Sequence, residues 1–309
     1  MYEIPLDEIK AFIKRVKARS VLVEAPPGLL KHAKEVCGEL EAECSVSAMP
    51  VFGACLVYEF FPADAIVHLG HNAYPWWKPN KPTLFVEAFS NVEPSLEGLE
   101  GELEGKRIVL GTTVQHLKLL PKIRKYLEER EFEVFTFKSA GLEEGQVLGC
   151  DYRNLRRGYD DYLVVAGGRF HALGAALYLQ RSVLALDPYT SKRERVDPKR
   201  ELMRRMWLVQ RASEAEEVAL VDGHEGQSRR GLVKALKLEA ERAGKRVRLY
   251  KSLILTKEYL LNLPEDVVVV LSCPRLPVDD FSDVKEKIVL SPGEFRASLR
   301  GLSYYAFPF

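Results

Sequence analysis

At 309 residues and 47% hydrophobic content, the chain has room for two or three domains and enough apolar residues to fill their cores. Its 45 basic and 44 acidic residues leave a formal charge of +1, which gives no support to a protein that tracks a long polyanion, so direct nucleic-acid binding is not expected. No run of about 18 apolar residues occurs and the first twenty residues lack a signal-peptide pattern, so no membrane span is expected and the cytoplasm is the expected compartment.

The N-terminal twenty residues read as an amphipathic helix. A strand follows at 20–26, a helix at 28–42 and a second strand at 45–51. A short apolar helix is expected after Cys55, then strands at 65–70 and 83–89. A second unit opens with a strand at 107–113 and continues with a helix at 117–130 and a strand at 132–138. It then has a loop at 145–150, a strand at 161–168, a helix at 171–180 and a strand at 182–187. The third unit has strands at 217–223, 246–253, 266–273 and 287–292, with helices at 227–244 and 257–262.

Strands alternating with helices predict an α/β fold of three similar domains, each a small parallel sheet flanked by helices. They divide as 1–100, 101–211 and 212–309. The Gly/Glu-rich stretch 94–106 and the charged stretch 192–212 read as linkers. Short basic clusters at 192–195 and 199–205 have acidic residues in or beside them. Scarce Asn and Gln beside abundant Glu, Lys and Arg match a bias reported for hyperthermophiles.

Five cysteines occur, at 37, 44, 55, 150 and 273. An odd number at irregular spacing argues against a disulfide framework, and without a Cys-x-x-Cys there is no local zinc ribbon or ferredoxin run. Cys37, in a helical run, and Cys44, entering a strand, read as small buried hydrophobes. Cys55, Cys150 and Cys273 stand in Gly-Ala-Cys, Leu-Gly-Cys and Ser-Cys-Pro, at strand ends or in loops, one per unit. Ligands of open parallel sheets gather at the carboxyl ends of the strands, so three units facing inward could bring these cysteines to one central site.

Other loops carry polar residues that a plain connector does not need. His68-Leu69-Gly70-His71-Asn72 closes a strand, with His68 reading as a core histidine. Gly167-Gly168-Arg169-Phe170-His171 opens a helix whose free amides suit an anion. Gly223-His224-Glu225-Gly226-Gln227 is a similar turn. Cys273-Pro274-Arg275 is followed by Asp279-Asp280, which could cap the next segment. Taken singly, each has a plain structural explanation.

In this order the motifs resemble one family over nearly the whole chain: the archaeal diphthamide synthases, 2-(3-amino-3-carboxypropyl)histidine synthases. The resemblance runs through Pro26-Pro27-Gly28-Leu29, Phe52-Gly53-Ala54-Cys55, His68-Leu69-Gly70-His71 and Thr113-Val114-Gln115-His116. It continues through Gly145-Gln146-Val147-Leu148-Gly149-Cys150, Gly168-Arg169-Phe170-His171, Asp187-Pro188-Tyr189, Gly226-Gln227 and Cys273-Pro274-Arg275-Leu276. Pro27, where an acid is common in the family, and Asn72, where a serine is frequent, depart from the pattern, and the chain is short for the family.

The resemblance implies a homodimer in which three α/β domains each give one cysteine to a 4Fe-4S cluster, making Cys55, Cys150 and Cys273 the metal ligands and the catalytic centre. The fourth iron is open to S-adenosylmethionine, and an electron donor is needed. The family cleaves the bond from sulfur to the methionine γ-carbon by radical chemistry. It adds the 3-amino-3-carboxypropyl group to C2 of a histidine in translation elongation factor 2 and releases methylthioadenosine. His71, Gly168, His171, Gln227 and Arg275 are the expected contacts of S-adenosylmethionine, with turn amides and Arg275 on its carboxylate. The alternatives are a non-catalytic cluster-binding paralogue acting as a partner subunit, and a zinc- or nucleotide-binding protein. Zinc would recruit His71 or His171 as a fourth ligand.

Overall fold

The structure, a computed structural model, describes residues 2–309. Strand β1 (Tyr2–Glu3) leads into helix α1 (Leu6–Val16), whose Ile9, Phe12 and Ile13 fall on one buried stripe. The first sheet contains β2 (Ser20–Glu24), β3 (Glu43–Val46), β4 (Ala65–Leu69) and β5 (Thr83–Val86), with α2 (Leu30–Gly38) crossing from β2 to β3. Strand β6 (Phe89–Ser90) returns to pair antiparallel with β1.

The second sheet holds β7 (Arg107–Thr112), β8 (Glu133–Phe135), β9 (Asp161–Val165), β10 (Val183–Leu186) and an antiparallel edge, β11 (Arg193–Val196). Helices α3 (Leu120–Glu128) and α4 (Phe170–Leu179) connect its strands. Helix α5 (Lys199–Glu214) leads to the third sheet, of β12 (Glu217–Asp222), β13 (Arg246–Lys251), β14 (Val267–Val270) and β15 (Ile288–Leu290). Its helices are α6 (Arg230–Arg242), α7 (Lys257–Asn262) and α8 (Pro292–Arg300).

The α/β class with small parallel sheets flanked by helices is the one the alternation predicted. The strand orders β3-β2-β4-β5, β8-β7-β9-β10 and β13-β12-β14-β15 are the same pattern three times. In each, the chain reverses direction across the sheet beside its first strand, which opens a crevice at the carboxyl ends. Central strands such as β4 and β14 are buried along their whole length, which is why they read as unbroken apolar runs rather than alternations. The largest core runs continuously from Val109 and Val164 through Leu208 and Val209 to Val218, Val269 and Phe295, so the second and third sheets share one interior. The first sheet has a core of its own around Ile9, Val23 and Val67.

Three expectations are corrected. No helix follows Cys55: residues 51–64 form turns, because the Tyr58 amide donates to Glu24 (2.7 Å) rather than to a helical carbonyl. The stretch 192–212 is no linker but β11 and α5, and the buried stripe of α5 is Arg205, Leu208, Val209 and Ala212. Arg205 is fully buried, donating from Nε to Glu294 of α8 (2.7 Å) and from Nη1 and Nη2 to the carbonyls of Pro277 and Val289 (2.9 Å each). Finally, Cys37 and Cys44 form a disulfide rather than standing as lone hydrophobes. The turn from α2 into β3 brings their Cα atoms to 5.4 Å, within bridging range.

Candidate active site

Cys55, Cys150 and Cys273 are free, and all three line one cavity of about 410 Å³. Each comes from a different sheet. Cys55 lies between β3 and β4 in a turn closed by the Leu56 amide on the Gly53 carbonyl (3.1 Å). Cys150 lies between β8 and β9 in a tight turn where Leu148 and Asp151 exchange backbone hydrogen bonds (2.9 and 3.1 Å). Cys273 lies in the loop after β14, one connection later than its counterparts, and the Leu276 amide donates to its carbonyl (3.2 Å).

Two glycines allow close packing at the cysteine turns. Gly226 presses its backbone against the Cys55 carbonyl and the Trp77 ring so closely that a Cβ has no room, which seats the third unit on the first. Gly149 lies against the Phe170 ring, 2.6 Å from where its Cβ would be. Asn72 and Gln146 exchange side-chain amide hydrogen bonds (3.1 and 2.9 Å) and tie the first unit to the second, which gives the departure at Asn72 a structural role.

Burial pushes the Cys55 and Cys150 thiols up to about 12, and repulsion from Cys273 adds to both. Burial also raises Cys273, against the pull of the Arg275 and Leu276 amides. The Gln227 side chain and the Tyr74 hydroxyl lie against the sulfurs of Cys55 and Cys150 and ease their ionisation. Thiols held this high stay protonated and are poor free nucleophiles. Among the described residues, no three His, Cys, Asp or Glu side chains come close enough to hold a single metal ion. The three sulfurs thus feel one another's charge without converging on one point.

Four of the five expected cofactor contacts reach this cavity: His71, His171, Gln227 and Arg275. Gly168 does not line it, and its amide donates to Asp187 (3.1 Å). Asp279 and Asp280 pair with Arg275 (3.0 and 3.3 Å) rather than capping a segment, and the guanidinium lies 5.2 Å from the Phe170 ring centroid. His171 has a buried Nδ1 with no partner and separates the cavity from a second hollow of about 230 Å³. Burial, with Arg275 nearby, lowers it to about 4.

Sequence reasoning missed Arg229, Tyr74 and Glu24. Arg229 lines the cavity, sits 3.5 Å over the Phe309 ring and attracts the Cys150 thiolate. Nothing in its local pattern marks it. Glu24 does carry a signal, as the single acid inside an apolar strand run. It is fully buried, with Oε2 2.9 Å from Nδ1 of His68, and His68 Nε2 lies 3.1 Å from Nδ1 of His71. Burial raises Glu24 to about 7 and lowers His68 and His71 to about 3.

Comparison with known proteins follows the same lines. A family model of diphthamide synthesis proteins matches residues 25–305. The chain is 32% identical to 2-(3-amino-3-carboxypropyl)histidine synthase of Pyrococcus horikoshii, over 99% of this chain and 93% of that protein. It is 29% identical to subunit 1 of the synthase of the same name from Homo sapiens, over 94% of this chain and 70% of that one. The crystal structure of Dph2 from Pyrococcus horikoshii with a 4Fe-4S cluster matches with a TM-score of 0.89 at 32% identity, over 99% of this chain and 94% of that chain. A second crystal structure of Dph2 from the same organism matches with a TM-score of 0.87, over 97% of this chain and 91% of that chain. On its sequence, its fold and the convergence of its motifs, this chain belongs to the diphthamide synthesis protein family.

Proposed function

We propose that this protein transfers the 3-amino-3-carboxypropyl group of S-adenosylmethionine to C2 of a histidine in translation elongation factor 2, using a 4Fe-4S cluster held by Cys55, Cys150 and Cys273. The observation that carries this reading is the meeting of three free cysteines, one from each sheet, on a single buried cavity. The family relatives named as synthases, and the related crystal structure of Dph2 with a 4Fe-4S cluster, support it.

The residues present fit such a group. Three thiols spread around a cavity suit a cluster, whose ligands attach to different irons, better than one zinc ion, which needs four donors at one point. When bound, the cluster supplies the electron that breaks the sulfur-to-γ-carbon bond and an iron with no protein ligand. The amides of Arg275 and Leu276 and the side chains of Gln227 and Tyr74 support the thiolates by hydrogen bonding, which tunes such a centre. Arg229 gives the cavity positive charge for a substrate carboxylate, Arg275 being held by Asp279 and Asp280, while Tyr74, Phe170 and Phe309 supply apolar walls that exclude water. A cytoplasmic homodimer served by an external electron donor completes the proposal.

The test is anaerobic. Protein reconstituted with iron and sulfide is reduced and mixed with S-adenosylmethionine and archaeal elongation factor 2, and the products are weighed by mass spectrometry. Methylthioadenosine together with the added mass on the factor is the expected result. Deoxyadenosine would mean cleavage of the other bond and a different reaction. An intact cluster with no cleavage would favour the non-catalytic partner subunit.

A further inference from the structure

On the function proposed above, each turnover releases one proton. The S–Cγ bond of the sulfonium and the C2–H bond of the target imidazole break, and a C2–Cγ bond forms. Methylthioadenosine leaves neutral, so the positive charge of the sulfonium leaves as the proton, and the net reaction needs no oxidant or reductant. The roles given so far leave that proton without an acceptor facing the cavity.

Three residues form a line from the interior of the first sheet to the cavity wall. Glu24 ends β2 and stands beside His68 in the β2–β4 register, both with no solvent exposure. Glu24 Oε1 accepts the Tyr58 amide (2.7 Å), which holds the carboxyl in place, and Oε2 lies 2.9 Å from His68 Nδ1. His68 Nε2 in turn lies 3.1 Å from Nδ1 of His71, which lines the cavity beside Cys55 and Cys150. A carboxyl and an imidazole placed inside a parallel sheet with no Lys or Arg partner cost stability that an apolar pair would not.

The hydrogen bonds also fix the tautomers. Above about pH 7, where Glu24 is ionised, the Nδ1–H of His68 rests on the carboxylate and His68 Nε2 is a lone pair, so His71 Nδ1 must carry the hydrogen between them. The remaining nitrogen, His71 Nε2, is then an unprotonated base, and no hydrogen bond occupies it among the described residues. We propose that Glu24, His68 and His71 are a proton relay in which His71 Nε2 takes the C2 proton of the target histidine. His71 Nδ1 passes a proton to His68 Nε2, and His68 Nδ1 passes one to Glu24. His71 is the residue that meets the substrate, while His68 and Glu24 position it and carry the charge inward. Burial lowers His71 and His68 to about 3, so neither keeps the proton, and raises Glu24 to about 7, which suits the end acceptor that must be filled and emptied each cycle.

The test uses His71→Gln, at the cavity wall, and Glu24→Gln, which keeps the shape of the carboxyl and an acceptor for the Tyr58 amide. The first readout is the ¹⁵N spectrum of histidine-labelled, cluster-free protein. Above about pH 7, where Glu24 is ionised, it should show His71 protonated on Nδ1 alone, with the Nε2–H form appearing in Glu24→Gln; His71 carrying Nε2–H in the unaltered protein there overturns the relay. The second is the ratio of modified elongation factor 2 to released methylthioadenosine in cluster-loaded protein. In both variants it should fall at least about tenfold, since such bases typically contribute 10²-fold or more. A primary isotope effect should then appear when the target histidine carries deuterium at C2. An unchanged ratio, with cleavage and transfer falling together, would make His71 a contact of S-adenosylmethionine and sink the proposal. If the unaltered protein makes no methylthioadenosine at all, the functional reading fails and the relay fails with it.

Discussion

The five cysteines divide by what surrounds their sulfurs. Cys55, Cys150 and Cys273 are free and face a shared cavity, whereas Cys37 and Cys44 are bonded to each other at the far side of the first sheet. Each of Cys55→Ala, Cys150→Ala and Cys273→Ala is expected to lose most of the iron taken up on reconstitution, read by iron and sulfide assay. Iron retained in any of them would remove that residue from the ligand set. Cys37→Ala should keep its iron but lose stability, because the bridge closes a short loop of sequence separation 7. The loop-closure relation puts that loss at about 2–3 kcal/mol, measurable as a lower unfolding midpoint in denaturant. Motif spacing made the three cavity cysteines legible. The disulfide was not, because it depends on the angle at which α2 hands over to β3.

At the scale of elements, α5 is where pattern reading and packing disagree most. Its sequence is dense in Arg and Glu, and its one buried stripe includes a charged side chain. Arg205 crosses to Glu294 in the capping box of α8, so two helices and the end of β15 are locked by a single buried pair. Burial alone would raise Glu294, but the charge of Arg205 and the Ser291 amide outweigh it and hold the carboxyl below its ordinary value. Arg205→Ala leaves that carboxylate buried and unpaired, and should cost about 3–5 kcal/mol in thermal or denaturant unfolding. Replacing both partners by apolar residues of similar size should recover most of the loss. A loss from Arg205→Ala alone no larger than that of an exposed arginine would refute the buried pairing.

At the scale of the whole molecule, four of the six histidines are kept neutral by burial: His68 and His71 near 3, His116 and His171 near 4. In the unfolded chain these groups bind protons near pH 6.5, so between that value and their folded values the unfolded state binds more. Stability therefore falls as pH drops below about 6.5, by roughly 1.4 kcal/mol per pH unit for each histidine. Glu24 opposes this. Raised to about 7, it holds its proton in the folded state, so its contribution is present below its unfolded value and lost as pH rises through 7. Unfolding midpoints of cluster-free protein from pH 7.5 down to 5 should decline, and the decline should be shallower in His68→Gln. A flat profile would mean that these imidazoles are not buried neutral.

Local physics determined a good deal from sequence alone. β-branched runs and stripes at helical spacing define the strands and helices of all three units, and glycine-bearing turns place one free cysteine on each. These are properties of a chain segment and its immediate neighbours. Tertiary structure decided the rest, because it depends on which surfaces meet. Gly226 against Cys55, and the amide exchange between Asn72 and Gln146, bring the three carboxyl ends to one cavity. The same packing makes Arg205 a core residue and Glu24 the inner end of a chain of imidazoles. A polar side chain in a buried place is stable only when a partner waits there, and partners far apart in sequence are invisible until the sheets are assembled.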